Sequence, residues 1–352
     1  MALILITITI WMNYMSTKKL FSRSAAMIAL TAASFSTFAE EVNIYSFRQA
    51  FLIEPIMEKF TEETGIKVNI LFANKGLIER VKREGELSPA DVVLTTDISR
   101  LVKLADQDLT QSVNSETLNN NIPSQYRDPE NQWFALTTRV RNIYSSSERI
   151  GPVDITYQDL AKPEFEGKIC TRSGKHPYNV SLVASMIAHE GEAATKQWLE
   201  KVKGNLARKP QGNDRAQVKA VKDGLCDYAL GNNYYLGKML ADPKQVSWAE
   251  AVNINFPNQA TTGSHVNVSG VVLTKYAPNK DNAVKLIEFL SDDVAQQMYA
   301  EVNYEYPVKV SVQPSKLVAS WGQFKADVLP LAEIAKQHKT AVKLLDEVKF
   351  DL

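Results

Sequence analysis

The sequence lacks a net charge, because its 40 Lys and Arg residues are balanced by 40 Asp and Glu residues. It also lacks a basic tract, an internal repeat and any low-complexity segment, and its 14 Pro and 15 Gly residues are dispersed. Proteins that bind DNA or RNA usually carry a clustered basic surface. We therefore expect no nucleic-acid partner.

Long hydrophobic runs are missing after the N-terminus, where apolar stretches are short and interrupted by charge. Near the N-terminus, three basic residues precede an apolar stretch at 25–35, and Thr-Phe-Ala at 37–39 forms a small-x-small cleavage site. This pattern predicts a secretory signal peptide over 1–39 that is cleaved near Ala39. No cysteine stands directly after the cleavage site, so we expect no lipoprotein anchor. Because the later apolar runs are short and interrupted by charge, we also expect no stable membrane insertion.

A second apolar run, residues 3–12, has about half of the ~20 residues that a membrane span requires. The simplest explanation is that residues 1–14 are a mis-assigned upstream extension, with Met15 as the true start.

Cysteine is scarce, with only Cys170 and Cys226 in the chain. Two thiols without a nearby pair of histidines make no recognisable zinc pattern. An even count in an exported chain favours one disulfide between neighbouring strands. A cysteine-based metal site is the alternative.

Motifs of catalysis are also missing. The sequence has no nucleophile elbow, no paired-carboxylate signature and no dinucleotide fingerprint. The run Ser173-Gly174-Lys175 lacks the upstream glycine of a phosphate-binding loop. We therefore expect a binding protein rather than an enzyme, and an exported hydrolase is the class that the sequence favours least.

Short apolar strands alternate with amphipathic helices through most of the chain. This order predicts an α/β fold with a mainly parallel sheet and helices on both faces, and ligands in such folds bind beyond the carboxyl ends of the strands. The predicted strands are 42–46, 67–72, 90–95, 168–172, 226–230 and 269–273, and the predicted helices are 53–64, 75–84, 181–189, 192–203, 214–223, 234–240 and 280–300.

The chain length and this layout predict two lobes with a ligand cleft between them. The first lobe comprises residues 40–138 and 271–352, including the C-terminal helices. The second lobe comprises residues 139–270.

Two neighbouring phenols stand at a predicted helix start, in the run Gly231-Asn232-Asn233-Tyr234-Tyr235. Asn232 or Asn233 is a suitable N-cap, which would place both tyrosines in the first turn. Such a pair suits a hard cation. The alternative is a pair of ordinary half-buried aromatic residues.

Tyr178 also stands at a predicted strand-to-helix junction, because a predicted strand leads into residues 173–179 and a helix follows. We therefore expect Tyr178, Tyr234 and Tyr235 to lie close together in the second lobe. Three phenolates are hard oxygen ligands that suit ferric iron. A free phenol has a pKa near ~10, so only a strongly polarising cation would hold three of them deprotonated at neutral pH.

Basic residues stand where an anion could complete such a site. Arg48 and Gln49 follow the first predicted strand, and Arg139 and Arg141 point to one face of an extended segment. A guanidinium there would hold a small oxyanion bidentately. A salt bridge is the alternative for each arginine.

With these residues the chain resembles the periplasmic ferric-ion-binding proteins of bacterial ABC iron uptake over its whole mature length. The resemblance implies the two-lobed class II periplasmic-binding-protein fold and Fe(III) ligands at Tyr178, Tyr234 and Tyr235. The segments that carry the resemblance are Val42–Arg48, Leu136–Arg141, Arg172–Asn179, Gly231–Tyr235 and Glu305–Val308.

The resemblance also implies a synergistic anion, carbonate or bicarbonate, held by the groups matching Arg48 and Arg141. Some relatives place His or His-Tyr ligands where this chain has Gln49 and Ala50. Binding by three tyrosines should therefore depend more on the anion. Tyr45 and Tyr144 are expected in the core or the cleft wall.

The implied role is that of a periplasmic monomer that captures iron and delivers it to an inner-membrane ABC permease and its ATPase. The alternative is a binding protein of the same fold for a polyamine, thiamine or an oxyanion.

Overall fold

The structure is a computed structural model that describes residues 40–352. The predicted signal peptide, its cleavage near Ala39 and the position of the true start lie outside the described residues. Within residues 40–352, no helix has both the length and the apolar composition needed to cross a membrane.

The strands that the hydrophobic pattern predicts are present, and their ends differ from the prediction by a few residues. Three observed strands are absent from the predicted list. Phe134–Ser146 contains the segment around Arg139 and Arg141 that was predicted only as extended, and Val252–Asn255 and Tyr306–Pro307 were not predicted because they have only four and two residues. The strands are β1 (Glu41–Ser46), β2 (Lys67–Phe72), β3 (Val92–Thr95), β4 (Phe134–Ser146), β5 (Ile169–Cys170), β6 (Tyr228–Asn232), β7 (Val252–Asn255), β8 (Val266–Leu273) and β9 (Tyr306–Pro307).

These strands form one mixed sheet in the order β2-β1-β3-β8-β4-β6-β5, and β7 and β9 also pair with β4. β1 is parallel to β2 and β3, and β5 is parallel to β6. β8 is antiparallel to β3 and β4, and β4 is antiparallel to β6, β7 and β9. The mixed sheet corrects the expectation of a mainly parallel one. The reason is that β4 and β8 carry the chain in opposite directions between the two series of elements and lie side by side.

β4 is the longest strand, and all 13 of its residues are buried. Its first part, to Val140, pairs with β8, and its second part, from Arg141, pairs with β6. β4 therefore changes its pairing partner between Val140 and Arg141, next to Arg139. The predicted lobe boundaries, after Thr138 and before Val271, fall inside β4 and β8 and stay predictions.

Amphipathic helices cover the sheet, and one helix, Pro177–Glu190, is instead buried on all sides from Asn179 to Ile187. A helix that is buried all round lies in the core. The helices are α1 (Glu54–Thr64), α2 (Leu77–Glu84), α3 (Ile98–Asp106), α4 (Glu116–Asn121), α5 (Pro177–Glu190), α6 (Glu192–Gly204), α7 (Asp214–Lys222), α8 (Tyr234–Leu240), α9 (Val246–Ala249), α10 (Lys280–Ser291), α11 (Asp293–Asn303), α12 (Lys316–Ser320), α13 (Leu331–Lys336) and α14 (His338–Glu347).

The predicted disulfide between Cys170 and Cys226 is confirmed. Cys170 ends β5 and Cys226 lies two residues before β6, and these two strands pair in parallel. The bridge therefore joins the strands that lead to α5 and α8.

Replacing both cysteines with alanine is expected to lower the free energy of unfolding by about 4 kcal/mol, the loop-closure value for a separation of 56 residues. Urea unfolding of the oxidised wild type and of the double variant measures this loss. Wild-type protein reduced with dithiothreitol is the control, because it opens the same loop without changing side-chain volume. Equal unfolding midpoints for the oxidised wild type and the variant would contradict the prediction.

Candidate metal centre

Three tyrosine side chains meet at one cavity. Tyr178 lies in the first turn of α5, and Tyr234 and Tyr235 lie in the first turn of α8. The hydroxyl oxygens of Tyr178 and Tyr234 are 3.2 Å apart. The ring centroids of Tyr234 and Tyr235 are 4.2 Å apart. The structure thus brings together the three tyrosines that the sequence placed at strand-to-helix junctions.

The start of α8 is tied to β4 rather than capped by an asparagine side chain. The Asn233 Oδ1 accepts a hydrogen bond from the backbone N–H of Val140 at 2.8 Å, and the Asn232 Oδ1 accepts one from Arg141 at 3.1 Å. The predicted N-cap position is confirmed at Asn233, but the Asn233 side chain makes no capping hydrogen bond to the helix. The reason is that its Oδ1 instead accepts from the backbone of β4 where β4 changes its pairing partner.

Two glycines allow aromatic rings to pack closely against this segment. A Cβ on Gly231 would lie 2.5 Å from the ring of Tyr144, whose hydroxyl donates to the carbonyl of Asn232 at 2.8 Å. A Cβ on Gly237 would lie 2.4 Å from the ring of Tyr304. These contacts fix α8 from two sides.

The two other tyrosines that the sequence left in the core or the cleft wall are core residues. Tyr144 is fully buried. Tyr45 is buried and its hydroxyl donates to Glu84 at 3.0 Å. Neither is among the residues that line the cavity.

His176 positions Tyr178. Its Nδ1 accepts a hydrogen bond from the backbone N–H of Tyr178 at 3.3 Å, and the two rings contact edge to face with centroids 4.5 Å apart. Burial, aided by the charge of Arg172, lowers the pKa of His176 to about 3. His176 therefore lines the cavity as a neutral imidazole at neutral pH.

Burial controls the protonation of the tyrosine pair. It raises the pKa of Tyr234 well above the ordinary value, and the neighbouring phenols of Tyr178 and Tyr235 add to this rise. Burial also raises the pKa of Tyr235, followed by the charges of Tyr178 and Asp214. Both side chains are therefore uncharged phenols at neutral pH until a cation displaces their protons.

The cavity has a volume of about 660 Å³ and is strongly cationic. Among the described residues that line it, Glu305 is the only carboxylate. Gln49 also lines it and is exposed. The cationic lining residues are Arg48, Lys75, Arg100, Arg139, Arg172, Arg215 and Lys238.

Glu305 compensates two of these charges. Its carboxylate lies 2.6 Å from the Arg48 Nη2 and 3.6 Å from the Arg139 Nη1. Both guanidinium groups also donate to the Ser269 hydroxyl, at 2.6 and 2.7 Å. Burial opposes the charge of Arg48, but Glu305 outweighs it and raises the pKa of Arg48. Arg48 and Arg139 therefore line the cavity while already paired.

Arg141 lies behind the tyrosines and is not among the lining residues. Its Nη1 is 2.6 Å from the fully buried carboxylate of Asp214, and its Nη2 donates to the Asn179 Oδ1 at 2.7 Å. Arg172 reaches the other oxygen of Asp214 at 2.7 Å. Asp214 thus joins β4, β5 and α7 beneath the tyrosines.

The sequence did not single out several of the lining residues. Arg172 lies two residues after the end of β5, so its place near a strand end was a usable signal, and Glu305 lies in one of the segments that carry the resemblance. Arg100 and Arg215 lie inside the helices α3 and α7, where no local motif marks them.

Replacing Asp214 with asparagine is expected to lower the free energy of unfolding by about 3 kcal/mol or more, because Arg141 stays buried without a counter-charge. Burial opposes ionisation of Asp214, but Arg141 and Arg172 outweigh it and hold its pKa below the ordinary value. This stabilisation is present above the unfolded carboxyl pKa of about 3.9 and is lost as the pH falls through the folded pKa.

Urea unfolding at neutral pH and in acid measures both effects, and the difference between wild type and variant should shrink in acid. Asp223→Asn is the control, because its partly exposed pair with Lys219 should contribute less than about 1 kcal/mol. Similar losses for the two variants at neutral pH would contradict the central role of Asp214.

Known proteins share this sequence and this fold. The family described as bacterial extracellular solute-binding protein matches residues 87–326. Iron uptake protein A1 of Synechocystis sp. is 44% identical over 312 residues, which are 88% of this chain and 87% of that protein. The crystal structure of Pasteurella haemolytica apo ferric ion-binding protein A has a TM-score of 0.87 and 59% identity, and the match covers 89% of this chain and 99% of that chain.

A Trichodesmium protein solved in complex with iron and citrate ligands has a TM-score of 0.84 and 39% identity, covering 88% of this chain and 99% of that chain. These similarities confirm the two-lobed periplasmic-binding-protein fold and the resemblance drawn from the motifs. The relatives are transport and ion-binding proteins, which confirms the expectation of a binding protein rather than an enzyme. The chain therefore belongs to the bacterial extracellular solute-binding protein family, together with relatives that bind or take up iron.

Proposed function

We propose that this protein captures Fe(III) in the periplasm, with Tyr178, Tyr234 and Tyr235 as metal ligands. The observation that carries the proposal is the convergence of three phenols at one cavity, with the Tyr178 and Tyr234 oxygens 3.2 Å apart. Within residues 40–352, no cluster of three or more His, Cys, Asp or Glu residues offers a competing metal site. Hard phenolate oxygens suit a small trivalent cation.

Two arginines lie close to the ring of Tyr178. The guanidinium carbons of Arg139 and Arg172 lie 5.3 and 5.5 Å from the centre of its ring. When Fe(III) displaces the phenolic protons, the three phenolates neutralise the charge of the metal. The surrounding arginines then remain as net positive charge, and an anion is needed to balance it.

Carbonate or bicarbonate is the anion that we propose, held at the wall formed by Arg48, Gln49 and Arg139. Gln49 is exposed in the cavity, and the guanidinium groups of Arg48 and Arg139 line it. Planar guanidinium donors match a small oxyanion, which supports an anion here. Arg141 would act indirectly, by holding Asn179 and Asp214. Citrate is the second candidate, since it accompanies iron in the Trichodesmium relative.

Delivery completes the proposed role. A solute-binding protein of this family would hand its iron to an inner-membrane ABC permease driven by an ATPase, and would do so as a monomer. Protonation of the phenolates or loss of the anion would loosen the metal at the permease.

The charge of the cavity distinguishes between the alternative ligands, a polyamine, thiamine or an oxyanion. A polyamine or thiamine is a cation and would meet seven positive side chains and one carboxylate among the described lining residues. An oxyanion without iron fits this charge better and is the second candidate function. Phosphate that binds tightly to the iron-free protein, with no binding of iron, would favour that function.

Titration of the purified protein with a ferric salt in bicarbonate buffer is expected to give a visible absorbance band that saturates at one iron per chain, because phenolate-to-iron charge transfer absorbs visible light. The triple variant Tyr178→Phe, Tyr234→Phe, Tyr235→Phe should give no band. Tyr276→Phe, which changes an exposed tyrosine outside the cavity, is the matched control and should behave as wild type. A wild type without a band would refute the ferric assignment.

Iron affinity should fall as the pH falls. Burial raises the pKa of Tyr234 and Tyr235, so each of these ligands must lose a proton when iron binds. Each proton released lowers the apparent affinity up to about tenfold per pH unit of acidification. Competition with a chelator of known affinity across pH 6 to 8, corrected for the protonation of that chelator, measures the slope. An affinity that is independent of pH would contradict phenolate ligation.

A further inference from the structure

Arg100 is a partly buried cation without a counter-charge in contact. Its guanidinium carbon lies 4.1 Å from the centre of the Phe47 ring, which holds the side chain in place. Its guanidinium group makes no hydrogen bond or ion pair with any residue among 40–352. Its charge lies close enough to Tyr178 and Arg139 to interact with both. Its N–H donors are therefore free to bind a ligand beside the tyrosines.

Arg48 has a carboxylate partner, and Arg100 does not. Burial opposes the charge of both side chains, but the carboxylate of Glu305 reverses the effect at Arg48. At Arg100, burial prevails over the more distant charge of Asp97 and lowers the pKa. A desolvated cation of this kind is costly unless an anion pairs with it.

Arg215 is the second arginine of the cavity without a protein partner. It lies on α7, next to Asp214, and lines the same cavity as Arg100 and the tyrosines. Its guanidinium group makes no hydrogen bond or ion pair within the described part of the chain. By contrast, the three cavity arginines Arg48, Arg139 and Arg172 are all paired with protein carboxylates.

Arg100 also lines a second cleft that adjoins the tyrosine cavity. This cleft has a volume of about 1030 Å³ and shares Phe47, Lys75, Arg100 and Pro177 with the cavity. Lys75 and Lys339 on its wall are exposed amines without an ion-pair partner among residues 40–352. The combined space is far larger than a carbonate ion needs and lies within or above the size of typical small-molecule sites, about 300–1,000 Å³.

We propose that Arg100 and Arg215 form an anion subsite for the carboxylates of a polycarboxylate chelator, so that the protein takes Fe(III) from a negatively charged ferric complex. The subsite rests on the proposed function, since the iron is transferred to Tyr178, Tyr234 and Tyr235. The cationic cavity repels the hydrated ferric ion and attracts an anionic complex. The adjoining cleft holds the organic part of the chelator during the exchange.

The exchange step involves no change of oxidation state. Bonds from iron to chelator oxygens break, and bonds from iron to the three phenolate oxygens form. The phenolic protons pass to the released carboxylates and to water. Arg100 and Arg215 hold the chelator beside the tyrosines while this happens.

The test is the rate of iron transfer, followed by stopped-flow absorbance of the phenolate-to-iron band. The iron donors are ferric citrate, which is negatively charged, and the uncharged complex of Fe(III) with three acetohydroxamates. In the variant Arg100→Gln, Arg215→Gln, the second-order rate constant with ferric citrate should fall about tenfold or more. With the uncharged donor it should stay within about twofold of wild type, because no long-range attraction is lost.

Arg83→Gln is the matched control, because Arg83 is an exposed arginine outside both cavities. It should leave both rates unchanged. The final band of the double variant should match that of wild type, which shows that the variant is folded and its tyrosines are intact. Wild-type rates for the double variant with ferric citrate, or an equal fall with both donors, would overturn the subsite. No band from either donor in the wild type would instead overturn the proposed iron function.

Discussion

The structure around the tyrosines depends on the pairing of buried arginines with two carboxylates. Asp214 is fully buried and pairs with Arg141 at 2.6 Å and with Arg172 at 2.7 Å. Glu305 pairs with Arg48 at 2.6 Å. A buried pair contributes little net stability, but the loss of one member is costly. These two carboxylates therefore fix the relative positions of the elements that surround the cavity, rather than adding to affinity themselves.

Glu305 and Asp214 connect different sets of elements around the cavity. Glu305 connects β9 to the end of β1 and, through Ser269, to β8. Asp214 connects α7 to β4 and to Arg172, two residues after β5. The three phenols and the unpaired guanidinium groups of Arg100 and Arg215 line the same cavity. Cationic walls around uncharged phenols make a site that favours an anionic form of its ligand.

Much of the fold could be predicted from the sequence, because hydrophobic periodicity and glycine or asparagine at element ends are local signals. The predicted helix at Tyr234–Leu240 and the predicted strand at Lys67–Phe72 have the observed bounds. The direction of β4 and β8 could not be predicted in this way, because pairing between distant strands leaves no mark in either strand. The N-cap position at α8 could be predicted, but the hydrogen bond of the Asn233 side chain could not, since its partner is a strand that lies 93 residues earlier in the chain.

The candidate site shows the same difference between local sequence signals, which could be read, and contacts between distant segments, which could not. Tyr178, Tyr234 and Tyr235 follow strands, so their meeting could be inferred from topology, while their role as ligands stays a prediction. The pairing of Arg141 with Asp214 could not be foreseen, because it depends on a contact between residues 73 apart. Arg100 and Arg215 were missed because a basic residue on an amphipathic helix normally faces solvent, and only the tertiary fold shows which ones line a cavity.

Resonance Raman spectroscopy of the iron-loaded protein, excited within its visible band, tests the central assignment most directly. If the three tyrosines hold Fe(III), ring vibrations of coordinated tyrosinate should be enhanced and should shift when ring-deuterated tyrosine is incorporated. Iron bound at one equivalent per chain without any enhanced tyrosinate vibration would contradict phenolate ligation.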